Sequence, residues 1–152
     1  MKLKVDEIDR KIVKYVCKGI YSYEELAKLC GVSRNTVYRR IDSLEKNEII
    51  ERRIMAQPNF ENLDLAVVIF GMNVSPKDLD KAVDYLKRLT KVNLLWKTYG
   101  AHDIVFGIIC DKADVGTCIQ NLKKSLEEHD IRIIRLDSST SISWEKIDLS
   151  PY

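Results

Sequence analysis

Several residue types are scarce in this 152-residue chain, and each shortage closes off a class of protein. Two histidines, His102 and His129, lie far apart, and four cysteines, Cys17, Cys30, Cys110 and Cys118, include no C-x-x-C pair. That is a poor framework for zinc or a disulfide scaffold. The expected state of the cysteines is reduced thiols packed as small hydrophobes, and no cofactor is implied. No apolar run approaches the roughly 18 to 20 residues needed to cross a bilayer. The opening MKLKVDEIDR is charged and has no apolar centre of a secretion signal, so a cytoplasmic protein without a membrane partner is expected. What remains is 45% hydrophobic and 32% charged, a soluble globular composition long enough to bury a core in one large domain or two small ones.

Net charge is also small, at +2, but it is unevenly spread. Up to Ile54 there are 13 Lys/Arg against 9 Asp/Glu, a net +4; from Met55 onward there are 12 against 14, a net −2. The positive excess falls on the part of the chain that contains the stretch Ser22–Ile50. There Ser22 and Glu25 have the spacing of a capping box ahead of an apolar run. The helix they start carries Leu26, Ala27 and Leu29 inward and stops at Gly31. Ser33 caps a second helix, with Val37, Ile41 and Leu44 on one stripe. Small Ala27, then Gly31, then Val37 allow two helices to cross through a tight turn, which is a helix-turn-helix pattern.

On a wheel of about 100° per residue with Val37 facing the core, Asn35 and Arg39 fall almost opposite, with Lys46 behind them. Thr36 and Tyr38 flank them. Asn and Arg can pair two-pronged with adenine and guanine edges, while Ser33, Thr36 and Lys46 suit phosphates. Arg34 and Arg40 lie nearer the buried side, placed for phosphate or for an internal salt bridge. A basic helix face can be merely solvated; the turn ahead of this one favours a recognition helix. The candidate DNA contacts are therefore Ser33, Arg34, Asn35, Thr36, Tyr38, Arg39, Arg40 and Lys46.

In chain order, Asp6 caps a first helix over EIDRKIVKYVCK, with Ile8, Ile12, Tyr15 and Val16 on one face and Gly19 closing it. Ile49 and Ile50, with ERRIM after them, read as a short strand leaving this unit. Pro58, Asn59 and Asn62 mark a hinge. A first domain at 1–54, a linker at 55–63 and a second domain at 64–152 follow. The second domain reads strand 65–74, then a helix through about 89 capped by Ser75, with Pro76 in its first turn. Strands 92–99 and 103–110 joined at Gly100 come next, then a helix 113–128 and a strand near 131–145. That order, βαββαβ, is the ferredoxin-like plait, and the fold class is α+β. Leu65, Val67 and Ile69 alternate with Ala66, Val68, Phe70 and Met72, so the first strand is apolar on both faces. With helices on one face only, a second copy of the chain is the simplest cover for the other.

The chain as a whole resembles the leucine-responsive regulatory protein/AsnC family of transcription regulators. The resembling residues are DEID at 6–9, LAKLCGVS at 26–33, VYRRI at 37–41, LEKNEII at 44–50, TYGAHD at 98–103, and Ser138, Ser139 and Thr140. The resemblance implies a winged-type helix-turn-helix domain followed by an effector-binding domain that dimerises and assembles further, to tetramer or octamer. It implies a small-molecule effector, an amino acid, bound between subunits near Gly100, and two recognition helices related by the two-fold axis of a dimer ask for an inverted-repeat DNA operator. Candidate effector contacts are Tyr99, Gly100, His102 and Asp103, with Asp103 receiving the ammonium and backbone N–H groups with Ser138 or Ser139 the carboxylate. His102 can equally be a solvated turn residue, and Asp103 a local cap. Glu48 stands where the family often has glycine, so Asn47 is expected to take any left-handed geometry there. Siroheme decarboxylases share the architecture and supply an enzyme alternative; a sensor that no longer binds DNA is another. The leading expectation is a DNA-binding regulator without catalysis.

Overall fold

The computed structural model describes residues 5–53, 58–146 and 150–152. The chain divides into two compact units, Met1–Gln57 with Lys146–Tyr152, and Pro58–Glu145. The first contains helices α1 (Glu7–Cys17), α2 (Tyr23–Cys30) and α3 (Arg34–Lys46). Each begins at a side-chain cap. Asp6 and Asp9 exchange side-chain to backbone hydrogen bonds at 2.9 and 3.1 Å, closing a full capping box. Ser22 accepts the Glu25 N–H and Ser33 the Thr36 N–H, without a reciprocal bond.

Their ends are alike too. Gly19, Gly31 and Glu48 adopt positive φ, and the residue after each donates its N–H back across the last turn. Ile20 reaches the Tyr15 carbonyl, Val32 that of Ala27 and Ile49 that of Leu44, at 2.9–3.1 Å. This satisfies carbonyls a helix end would leave open and turns an aliphatic side chain onto the core. Asn47, expected to be left-handed, has φ −96°; Glu48 takes that geometry at φ +55° instead. The core gathers Ile12, Val13 and Val16, then Leu26 and Cys30, then Val37, Ile41 and Leu44. Leu29 was expected inward but is exposed, because the buried arc of α2 lies between Leu26 and Cys30. Residues 49–53 form no strand, contrary to expectation; Ile54 and Met55, the rest of that segment, lie outside the described residues.

The second unit is β1 (Leu65–Val74), α4 (Leu79–Arg88), β2 (Val92–Lys97), β3 (Ile104–Asp111), α5 (Val115–Glu128) and β4 (Ile133–Thr140). The four strands form one antiparallel sheet in the order β2-β3-β1-β4, the ferredoxin-like arrangement. Val68, Phe70, Met72, Ile104, Phe106 and Ile108 point to the helices, where Ala82, Val83, Leu86, Leu122 and Leu126 meet them. A single helical turn, Pro76–Asp78, precedes α4, so Ser75 makes no side-chain cap. The last strand is shorter than expected. Ile131 is bonded to the end of α5 through the Leu126 carbonyl, and Thr140 is the last paired residue. Cys110 and Cys118 form a disulfide, against the expectation of reduced thiols. The end of β3 and the start of α5 bring their Cα atoms to 6.5 Å, within disulfide reach, which no spacing rule disclosed.

Register puts Val67 and Ile69, Val105 and Ile109, and Leu94 and Trp96 on the sheet face away from the helices. Trp96 is 50% exposed there, and Ile69 and Leu94 are exposed beside it.

Candidate nucleic-acid interface and effector site

The apolar stripe Val37, Ile41, Leu44 anchors α3 and dictates what it shows to solvent. Arg34, Asn35 and Arg39 are exposed and make no hydrogen bond or ion pair among the described residues. Two-pronged donors and acceptors are thus presented on a rigid helix with nothing else to bind. Ser33 accepts the Thr36 N–H at 3.1 Å, and its hydroxyl lies 2.9 Å from Thr36 Oγ1, which fixes the helix start. Lys46 pairs with Asp42 at 2.8 Å but stays largely exposed, and that hydrogen bond raises its pKa. Tyr38 is 58% exposed on the flank.

Arg40 takes the internal role of the two open to it. Its Nη1 lies 3.1 Å from both carboxylate oxygens of Asp9, which is buried, and also bonds Asp6. The same guanidinium therefore ties α3 to the first turn of α1, and Arg40 does not belong with the free cations of the face. The Asp9 N–H and then Arg40 hold the Asp6 carboxyl below its usual pKa.

The hairpin joins β2 and β3 through Gly100 as expected. Gly100 has φ +128°, and Tyr99 beside it is fully exposed. Asp103 is engaged locally: its carboxylate accepts the Val74 N–H at 3.2 Å, and its own N–H bonds the Met72 carbonyl. His102 is not a solvated turn residue. Its ring covers Gly71 so closely that a Cβ there would collide with it. Its Nδ1 lies 3.2 Å from Asn73 Oδ1 and its Nε2 3.5 Å from Asp137 Oδ2, while Arg135 also pairs with Asp137 at 2.7 Å. Ser138 pairs in register with Phe70 and Ser139 with Ile69, so the two serines face opposite sides of the sheet. Neither bonds Asp103. Asn73, Arg135 and Asp137 were missed from sequence because only the β1–β4 register brings them to His102. Among the described residues, no group of three His, Cys, Asp or Glu side chains is placed to hold a metal ion. None of the described helices is long and apolar enough to cross a membrane.

A helix that caps at Ser33, follows a left-handed glycine and displays Asn35 and Arg39 defines a helix-turn-helix transcription regulator. Comparison with known proteins agrees. Residues 5–51 match the family described as winged helix-turn-helix DNA-binding. An HTH-type transcriptional regulator of Pyrococcus furiosus is 31% identical over 101 residues, covering 66% of this chain and 68% of the relative. One from Pyrococcus horikoshii is 30% identical over 112 residues, covering 72% and 74%. Among solved structures, E. coli AsnC aligns over 95% of this chain and 97% of its own, with 25% identity and a TM-score of 0.73. The L-Met complex of a Neisseria meningitidis transcriptional regulator aligns over 97% and 96% with a TM-score of 0.75, a likeness of fold at 18% identity. The chain belongs to the leucine-responsive regulatory protein/AsnC family of transcription regulators. The relatives bear the names of regulators, which does not favour the decarboxylase alternative.

Proposed function

We propose that α3 enters the major groove of an operator and that Asn35 and Arg39 read base edges there. The observation that carries this is their exposure, without partners, opposite the buried stripe Val37, Ile41 and Leu44. Ser33, Arg34, Thr36 and Lys46 meet phosphates, which position the helix without specifying sequence. The protein acts by binding rather than catalysis, and in the cytoplasm where its DNA is. The DNA-binding domain spans 1–54, a linker 55–63, and residues 64–152 carry the dimer and the effector site. Two chains pack through the open sheet faces, so the operator is an inverted repeat; tetramers or octamers assemble from such dimers. An amino acid binds near the Gly100 turn at a subunit boundary, with Tyr99, His102 and Ser139 about it. Asp103, already bonded to Val74, contributes charge there, and Ser138 contributes less because it faces the other side.

A duplex selected from a random pool by the wild-type protein provides the test. Arg39→Ala should lose about 1 to 3 kcal/mol of discrimination between that duplex and a shuffled one, with fold and assembly unchanged. Lys46→Ala should weaken both duplexes alike and flatten the salt dependence. Unaltered discrimination in Arg39→Ala would show that another face reads the bases. Calorimetry against the common amino acids, repeated with Asp103→Ala, tests the effector. Equal binding by the two proteins would move the site elsewhere.

A further inference from the structure

Around the base of α3 lies a chain of side chains that the reading face does not use. Arg52, six residues beyond the helix, is bidentate with Glu45, Nε to Oε1 at 2.7 Å and Nη2 to Oε2 at 2.9 Å. Its third nitrogen donates to the Tyr23 hydroxyl at 3.0 Å, and the guanidinium lies 5.8 Å from the centre of the Tyr23 ring. Tyr23 is the first residue of α2, and its ring meets Tyr38 at 5.8 Å and an interplanar angle of 60°. Arg52 thus fixes Tyr23 from one side, and Tyr23 fixes Tyr38 from the other. The planar fork of arginine makes such a brace directional, which a lysine would not reproduce.

The product of this arrangement is a large aromatic ring held at one edge and otherwise open to solvent. Tyr38 is neighbour to Arg39 and precedes it by one residue, at the flank of the same helix. An exposed ring on such a flank gains nothing for the fold from its outer half. In the major groove, the apolar group that distinguishes one base from the others is the thymine 5-methyl. We infer that Tyr38 is a specificity-determining residue that packs on a thymine methyl, and that Tyr23 and Arg52 are the positioning residues that hold its ring for that contact. The inference rests on the reading of α3 as the recognition helix. It adds an apolar reader to the polar pair Asn35 and Arg39, and it gives the end of the helix-turn-helix a part in discrimination.

Replacing thymine by uracil removes the methyl and leaves the hydrogen-bonding edges intact. Each thymine of the selected duplex is replaced in turn, and affinities are read by fluorescence anisotropy with the full chain. At one position in each half-site the wild type should lose about fourfold, the worth of one buried methyl group. Tyr38→Ala should bind the thymine and uracil duplexes equally. Tyr23→Phe and Arg52→Lys, which keep ring and charge but lose the hydroxyl bond or the fork, should shrink the distinction while binding a shuffled duplex as the wild type does. Thermal melting accompanies each variant, and Tyr23→Phe keeps the test valid if Arg52→Lys unfolds. No uracil effect at any position in the wild type would overturn the inference. So would an effect that persists undiminished in Tyr38→Ala, or one that both brace variants leave intact. If Arg39→Ala also left discrimination untouched, the failure would belong to the recognition helix itself rather than to Tyr38.

Discussion

Glu48 shows how a single residue can record a local compromise. An L-residue at φ +55° crowds its own side chain against the backbone, and glycine relieves that crowding. The turn is kept because Ile49 is thereby bonded to the Leu44 carbonyl and packs onto the core. Glu48→Gly should stabilise the protein by about 1 kcal/mol, seen as a higher denaturation midpoint by circular dichroism; a lower midpoint would mean that the Glu48 side chain itself contributes. The ion pairs of the first unit carry a pH signature. The Asp6 carboxyl is depressed by the Asp9 N–H and by Arg40, and that of Glu45 by Arg52. A carboxylate whose folded pKa is lowered contributes stability above its ordinary pKa and loses it as pH falls through the folded value. Hydrogen-exchange protection of α1 and α3, corrected for the intrinsic rate, should hold steady above about pH 5 and decline below about pH 4. Asp6→Asn should make the decline shallower. Protection that rises on acidification would contradict the assignment of these pairs.

Helices were more legible in the sequence than strands, and the reason is physical. Capping residues, left-handed turn residues and a 3.6-residue apolar period are local, so Asp6, Ser22, Ser33, Gly19 and Gly31 could be placed from sequence alone. The same closing turn recurs at Asp130, where Ile131 bonds the Leu126 carbonyl, but aspartate does not announce left-handed geometry as glycine does. That is why the start of the last strand was drawn too early. Strand register and helix packing are both nonlocal, so the His102–Asn73–Asp137 cluster and the Glu45–Arg52–Tyr23 brace stayed hidden while each of their residues was in plain view. The disulfide belongs with these. It ties β3 to α5 through a short loop, and chain-entropy arguments give such a link about 2.5 kcal/mol. Cys118→Ser should lower the stability of the second unit by that order, read from the fluorescence of Trp96 and Trp144, both of which lie in it. An unchanged unfolding midpoint under non-reducing conditions would show that the two thiols are not joined in solution.

For the whole molecule, the governing fact is a sheet covered on one side only. Val105, with the more open Ile69, Leu94 and Trp96, makes an apolar surface on the side away from the helices, beside the buried Val67. Contiguous apolar surface of several hundred Å2 is unusual on a monomer. Burying it against its own copy forms an isologous interface, the same patch on both chains, of about 2,000 Å2 or more. An aspartate at Trp96, on the edge strand β2 of that face, would be desolvated against apolar side chains and left unpaired. Trp96→Asp should therefore turn the proposed dimer into a monomer at micromolar concentration by light scattering, while circular dichroism retains the helices. DNA binding should fall with it. Two linked recognition helices gain an effective concentration that one helix lacks, a factor of roughly 10² to 10⁴ in affinity. The loss should appear only on duplexes with two half-sites whose centres are spaced by a multiple of about 10 bp, which places both on one side of the helix. On a single half-site the variant and the wild type should bind alike. A wild-type protein that is already monomeric, or a Trp96→Asp variant that remains dimeric, would place the assembly surface somewhere other than the open sheet.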